Sequence, residues 1–144
     1  MSRSRFIAAS VALIAATPVA VWWVVGDLTE KGFPEPNLDY FIRPIDLPPV
    51  VEPLAGALAV MVVVVSVVVL ALGLYHRQID RRWLATVVPL CAAGAIVGAG
   101  WRVLTAGAIG ANIGAGMVLI FGFPLAGLLV LGAALNWWRE SRRR

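Results

Sequence analysis

Arg102 and Asn112 are the residues whose type and placement most invite chemistry, because each sits inside or beside a long apolar run. A guanidinium at membrane depth is costly, so it is retained for a task. It can hold an anion or a solute carboxylate, clamp a nearby acidic side chain, or snorkel its charge to the interface. The connecting stretch Thr105–Ala111 is apolar for a loop and brings the two residues within reach of one membrane face. Asp39, Asp46 and Glu52 are the carboxylates that a clamp would use.

Other reactive side chains are scarce. His76 is the only histidine and falls at the end of an apolar run, whereas haem held between helices needs an axial histidine within it. Cys91 is the only cysteine, which excludes an intramolecular disulfide and any CxxC pair, and it reads as a small core hydrophobe. The apolar runs contain no Asp or Glu, so a proton-coupled exporter would lack its proton carrier. No Ser/His/Asp set, phosphate loop or metal-ligand cluster can be assembled from the remainder. The expectation is a protein without catalytic residues, cofactor or metal.

The elements carrying these residues follow from composition. The chain has 144 residues, 60% of them hydrophobic and 14% charged, with a mean hydropathy of +0.87. A soluble domain of this size is about half apolar and about a quarter charged, and it could not hide the excess. Lipid is the matching solvent. Runs at about 6–26, 53–75, 84–107 and 113–138 reach the roughly 20 residues needed to cross hydrocarbon. Backbone groups in lipid must be satisfied within the segment, so each run predicts a helix, including the valine-rich Val62–Leu70. The predicted fold is an all-α membrane protein. It is a single four-transmembrane-helix bundle over 1–144, with a Pro-rich extracytoplasmic loop at 27–52.

Orientation follows from arginine. Arg3, Arg5, Arg77, Arg81, Arg82, Arg139, Arg142, Arg143 and Arg144 fall on one side with Asp80 and Glu140, a net of +7. Lys31, Arg43 and Arg102 fall on the other with six carboxylates, a net of −3. The positive-inside rule makes the first side cytoplasmic, predicting a plasma-membrane protein with both termini inside. The +4 total is thus a topology signal, and nucleic acid is not an expected partner. All six tryptophans, Trp22, Trp23, Trp83, Trp101, Trp137 and Trp138, lie near predicted span ends, as interface anchors do. Residues 1–20 also resemble a signal peptide, but the apolar run continues past Ala20 into the Trp22–Trp23 pair, which favours an uncleaved span.

The loop at 27–52 carries Pro34, Pro36, Pro44, Pro48 and Pro49, which exclude regular structure over most of it. Its apolar residues, Tyr40 and Phe41 among them, predict an ordered lid over the outer helix ends, with a short helical turn at Leu38–Ile42. Gly94, Gly98, Gly110 and Gly114 form two small-xxx-small pairs, predicting close packing of spans 3 and 4 or a seam for self-association. Span 2 shows no such face and is expected to face lipid. Pro18, Pro89 and Pro124 predict kinks in three spans. These readings point to a non-enzymatic membrane subunit or interaction protein that docks other membrane subunits, or itself, through its loop and Gly-rich helices. The alternative is a small oligomeric channel or transporter.

Overall fold

The computed structural model describes residues 3–30, 39–108 and 111–142. Among them α1 spans Arg3–Val25, α2 Val51–Tyr75 and α3 Arg81–Thr105. The fourth span is α4 (Ala111–Met117), a π-helical stretch Val118–Gly122, and α5 (Phe123–Ser141). Four helical segments of 22, 25, 24 and 29 residues are long and apolar enough to cross a membrane. The protein is therefore an all-α chain of the multi-pass membrane class. Gly110 lies outside the described residues.

Each span buries a narrow stripe and leaves most of its apolar surface outward, the pattern expected when lipid is the solvent. Val64, Val65, Val67 and Val68 of α2 are exposed, while Phe6, Leu13, Leu70 and Val87 form the central cluster. The helices pack in succession: α2 against α1, α1 against α3, and α3 against the three-part fourth span.

Two packing expectations change here. Span 2 does carry a small-residue face: Gly56, Ala59, Ser66, Leu70 and Gly73 are its buried positions. Their spacing of three, seven, four and three residues keeps one stripe against a neighbour at a heptad-like period. A Cβ at Gly56 would enter the Trp23 ring, and one at Gly73 would press on Phe6. The valines hid this stripe because they dominate by number, whereas packing is decided by the few positions where bulk is missing.

Gly94 and Gly98 face α1, not span 4. A Cβ at Gly98 would collide with the Pro18 backbone carbonyl, and one at Gly94 would stand 3.1 Å from Pro18 Cδ. Proline frees the carbonyl of the preceding turn and bulges its helix, and the glycine pair receives that bulge. Span 4 uses other glycines, with Gly100 against Val118 and Phe123, and Gly114 with its nearest contact at Val103.

Pro124 explains the π-helical stretch. Its ring lacks an N–H and would clash with the carbonyl four residues back in a regular helix. One wider turn solves this, with the Phe123 N–H donating to the Val118 carbonyl five residues earlier. Elsewhere α1 stops at Gly26, whose φ of 73° is left-handed. At the end of α2 the N–H of Gln78 reaches the Gly73 carbonyl (2.8 Å) and that of Arg77 the Leu74 carbonyl (3.0 Å). This Schellman closure puts Arg77, not a glycine, at φ 54°.

Candidate functional site

The site grows from the ends of three helices. At the C-terminus of α1 the last carbonyls have no partner within the helix, and that of Trp23 is taken by the Gly26 N–H at 3.0 Å. The Trp22 carbonyl is taken by Arg102, whose Nε donates to it at 2.8 Å. Arg102 arises from the last turn of α3, and its guanidinium carbon stands 4.2 Å from the centroid of the Trp22 ring. One terminal nitrogen, Nη2, donates to Glu52 Oε1 in a close ion pair. Glu52 belongs to the first turn of α2.

Every part of this arrangement is electrostatically favourable. The guanidinium meets the negative end of α1, and the carboxylate sits at the positive end of α2. Only 11% of the Arg102 side chain remains exposed, against 39% of Glu52. A charge so enclosed is tolerated when paired and hydrogen-bonded, and the planar fork supplies several donors at fixed angles. Of the sequence alternatives, Arg102 acts as a clamp that joins α1, α2 and α3. Its partner is Glu52 rather than Asp39 or Asp46.

The chain on either side of this clamp is sewn to the end of α3. The Glu30 N–H donates to the Gly107 carbonyl at 2.8 Å, and the Ile42 N–H to the Leu104 carbonyl at 3.0 Å. The Ala108 N–H donates to the Asp39 carbonyl at 3.2 Å. Tyr40 lies on Gly107, where a Cβ would overlap its ring. Of the lid expected over 27–52, the stretches 27–30 and 39–42 pack on the end of α3. The helical turn expected at Leu38–Ile42 does not form over 39–42, where the backbone only bends, the Ile42 N–H donating to α3 and the Asp39 carbonyl accepting from Ala108. Leu38, with Phe33, Pro34 and Pro36, lies outside the described residues.

Beyond Ile42 the loop stands away. Residues 43–50 are all exposed, including Ile45 at 80% and Val50 at 70%, and Phe41 is 45% exposed beside them. Asn112 is exposed and is not among the groups that Arg102 contacts, so the structure does not bring these two residues together.

Hydroxyls within the spans mostly bond their own helices, Ser10 to Phe6, Thr17 to Leu13 and Thr105 to Trp101. Two hydroxyls accept from another helix: the Trp83 indole N–H donates to Ser10 Oγ at 2.8 Å, and Asn136 Nδ2 donates to Thr86 Oγ1 at 3.1 Å. Asn136 is not singled out by the sequence. Its position in span 4 is visible there, but nothing along the chain marks its facing Thr86. Likewise Trp22 read only as an interface anchor, although its carbonyl and ring both hold Arg102. His76 is exposed with its ring edge-on to Tyr75, and Cys91 packs beside the central cluster.

The fold and this site together define a four-span helical membrane protein whose helix ends on one side are tied by a paired arginine. No family model, curated protein or solved structure matches the chain.

Proposed function

We propose that this chain is a non-enzymatic subunit or docking partner within a membrane complex. It sits in the plasma membrane with both termini and the arginine-rich end cytoplasmic. The observation that carries this reading is the contrast within the outer loop. Two stretches of it are locked to α3, while 43–50 projects as an exposed apolar segment held at both ends, by Ile42 and by Glu52. An apolar segment held out from a rigid base binds a partner without the entropy cost that a flexible loop would incur. Arg102 is occupied by its own chain, which weighs against a solute site at that residue.

Gly94, Gly98, Gly100 and Gly114 meet neighbours within the chain, whereas Gly116, Gly127 and Gly132 face open space on span 4. Span 4 is also the least enclosed of the four, and its open face is the one offered to a neighbouring helix.

The deciding experiment is purification of the tagged chain in mild detergent, with mass determination and identification of what accompanies it. A stoichiometric foreign membrane subunit, lost on Ile45→Asp with helical content unchanged, is the expected result. A pure homo-oligomer that conducts ions in liposomes would establish the channel reading instead. Orientation is tested by thiol labelling at Ser4→Cys, Asn37→Cys and Ser141→Cys in a Cys91→Ser background. Only position 37 should react from outside.

A further inference from the structure

At the arginine-rich end, α1 and α5 each pack on α3 without substantial contact with one another, and a groove of about 390 Å³ lies between them. Its walls are Val11 and Ile14 of α1, Trp83 and Leu90 of α3, and Trp137 of α5. That volume falls within the roughly 300–1,000 Å³ of small-ligand sites, and the lining is mainly apolar and aromatic, as in such sites. Val11 at 61% and Trp137 at 66% remain exposed, so the groove opens sideways toward the bilayer rather than into a sealed core.

Two features make this more than a gap between helices. Its wall is braced, because the Trp83 indole N–H bonds to Ser10 Oγ, which itself bonds to the Phe6 carbonyl at 2.9 Å. These two polar groups therefore satisfy each other, and the other lining hydroxyls are also bonded, Thr86 accepting from Asn136 and Ser141 donating to the Trp138 carbonyl. The helix ends around the groove are basic. Arg5, Arg82, Arg139 and Arg142 lie within a turn or two of the lining residues on the three helices, and all are exposed. Arg142 is held over the Trp138 ring at 3.9 Å, next to the groove residue Trp137. Arg82 has Asp80 at 3.9 Å as its ion-pair neighbour, yet 76% of its side chain stays exposed, so it remains open to a second anion.

We infer that this groove is a binding site for one anionic phospholipid, with an acyl chain along Val11, Leu90 and Trp137 and the phosphate between Arg82 and Arg142. Charge complementarity selects the occupant. A basic rim at the membrane surface over an apolar cleft between helices matches a negative headgroup joined to a hydrocarbon chain. A soluble anion has no use for the cleft, and an apolar peptide has none for the rim. The assignment stands apart from the docking proposed for the outer loop, which lies at the opposite end of the helices.

The test uses the full chain in nanodiscs of equal phosphatidylglycerol and phosphatidylcholine, released into the gas phase for native mass spectrometry. One phosphatidylglycerol should be retained over phosphatidylcholine by about fivefold for each arginine it engages. Arg82→Gln with Arg142→Gln should reduce that preference toward parity while some lipid is still retained. Val11→Trp, at an exposed position where the fold tolerates bulk, should fill the groove and abolish retention of both lipids with helical content unchanged. Equal retention of the two lipids by the unaltered chain would overturn the assignment. So would retention that survives Val11→Trp, or a free fatty acid found in place of a phospholipid.

Discussion

The two ends of this molecule handle arginine in opposite ways. At the loop end Arg102 is largely buried and held by the Glu52 carboxylate, the Trp22 carbonyl and the Trp22 ring, while Arg43 on the loop is exposed. At the other end Arg5, Arg77, Arg82, Arg139 and Arg142 are exposed, and Arg82 has its nearest carboxylate at 3.9 Å. The difference is one of solvent. Arginines beyond a helix end keep their water and contribute through the field they create. An arginine inside the last turn of a span has lost its water, so the protein must replace every interaction. One end is therefore a structural joint and the other an electrostatic surface.

Breaking the joint should have the largest effect. Arg102→Ala leaves the Glu52 carboxylate and the Trp22 carbonyl without their shared donor, at a cost of about 2–4 kcal/mol. Unfolding in detergent micelles measures it, and cleavage of the outer loop by external protease should rise in parallel. Paired replacement, Arg102→Met with Glu52→Leu, should recover much of the loss, because no orphaned charge remains. If the double variant is as unstable as either single one, the Trp22 contacts matter more than the ion pair.

Next in size is the seam that connects the two ends. Gly98→Ala drives a Cβ into the Pro18 carbonyl and should destabilise by about 1–3 kcal/mol, since backbone cannot yield as a side chain can. Gly127→Ala, where nothing lies within 4 Å, should be neutral or slightly stabilising through helix propensity. Thermal unfolding of the two variants side by side tests whether Gly98 is the tighter position.

Smaller still is the interhelical bond at the arginine-rich end. Asn136→Leu removes the donor to Thr86 Oγ1 and should cost about 0.6 kcal/mol, typical of polar pairs between membrane helices. Addition of Thr86→Val should cost little more, and the double-mutant cycle reports the coupling. The smallest expected change runs the other way. Arg77→Gly relieves a left-handed residue and should stabilise by up to about 1 kcal/mol. It should leave insertion unaltered, because the other arginines still mark that side.

How legible the fold was differs between these regions. The spans were read to within a few residues because hydrocarbon thickness imposes length, and lipid imposes both helicity and apolarity. Arg102 stood out for the same reason, as a charge where charge is costly. Glu52 did not stand out to the same degree. The expected boundary placed it just outside span 2, whereas α2 begins at Val51 and brings it into the first turn. A shift of two residues turned a loop carboxylate into a helix-end partner.

The sequence by itself determined the class of molecule, the number and extent of its apolar helices, and the separation of basic from acidic ends. Each of these depends on the exchange of water for lipid, which acts residue by residue along the chain. Only the tertiary structure decided that Gly94 and Gly98 receive Pro18 of α1 rather than span 4, and that α2 hides a small-residue stripe beneath its valines. It likewise decided that Arg102 selects Glu52 and Trp22 over the carboxylates of the loop. In lipid the hydrophobic effect no longer draws one helix toward another, so partner choice rests on shape and on a few polar contacts. Those are properties of two facing surfaces, and a single strand of letters shows only one at a time.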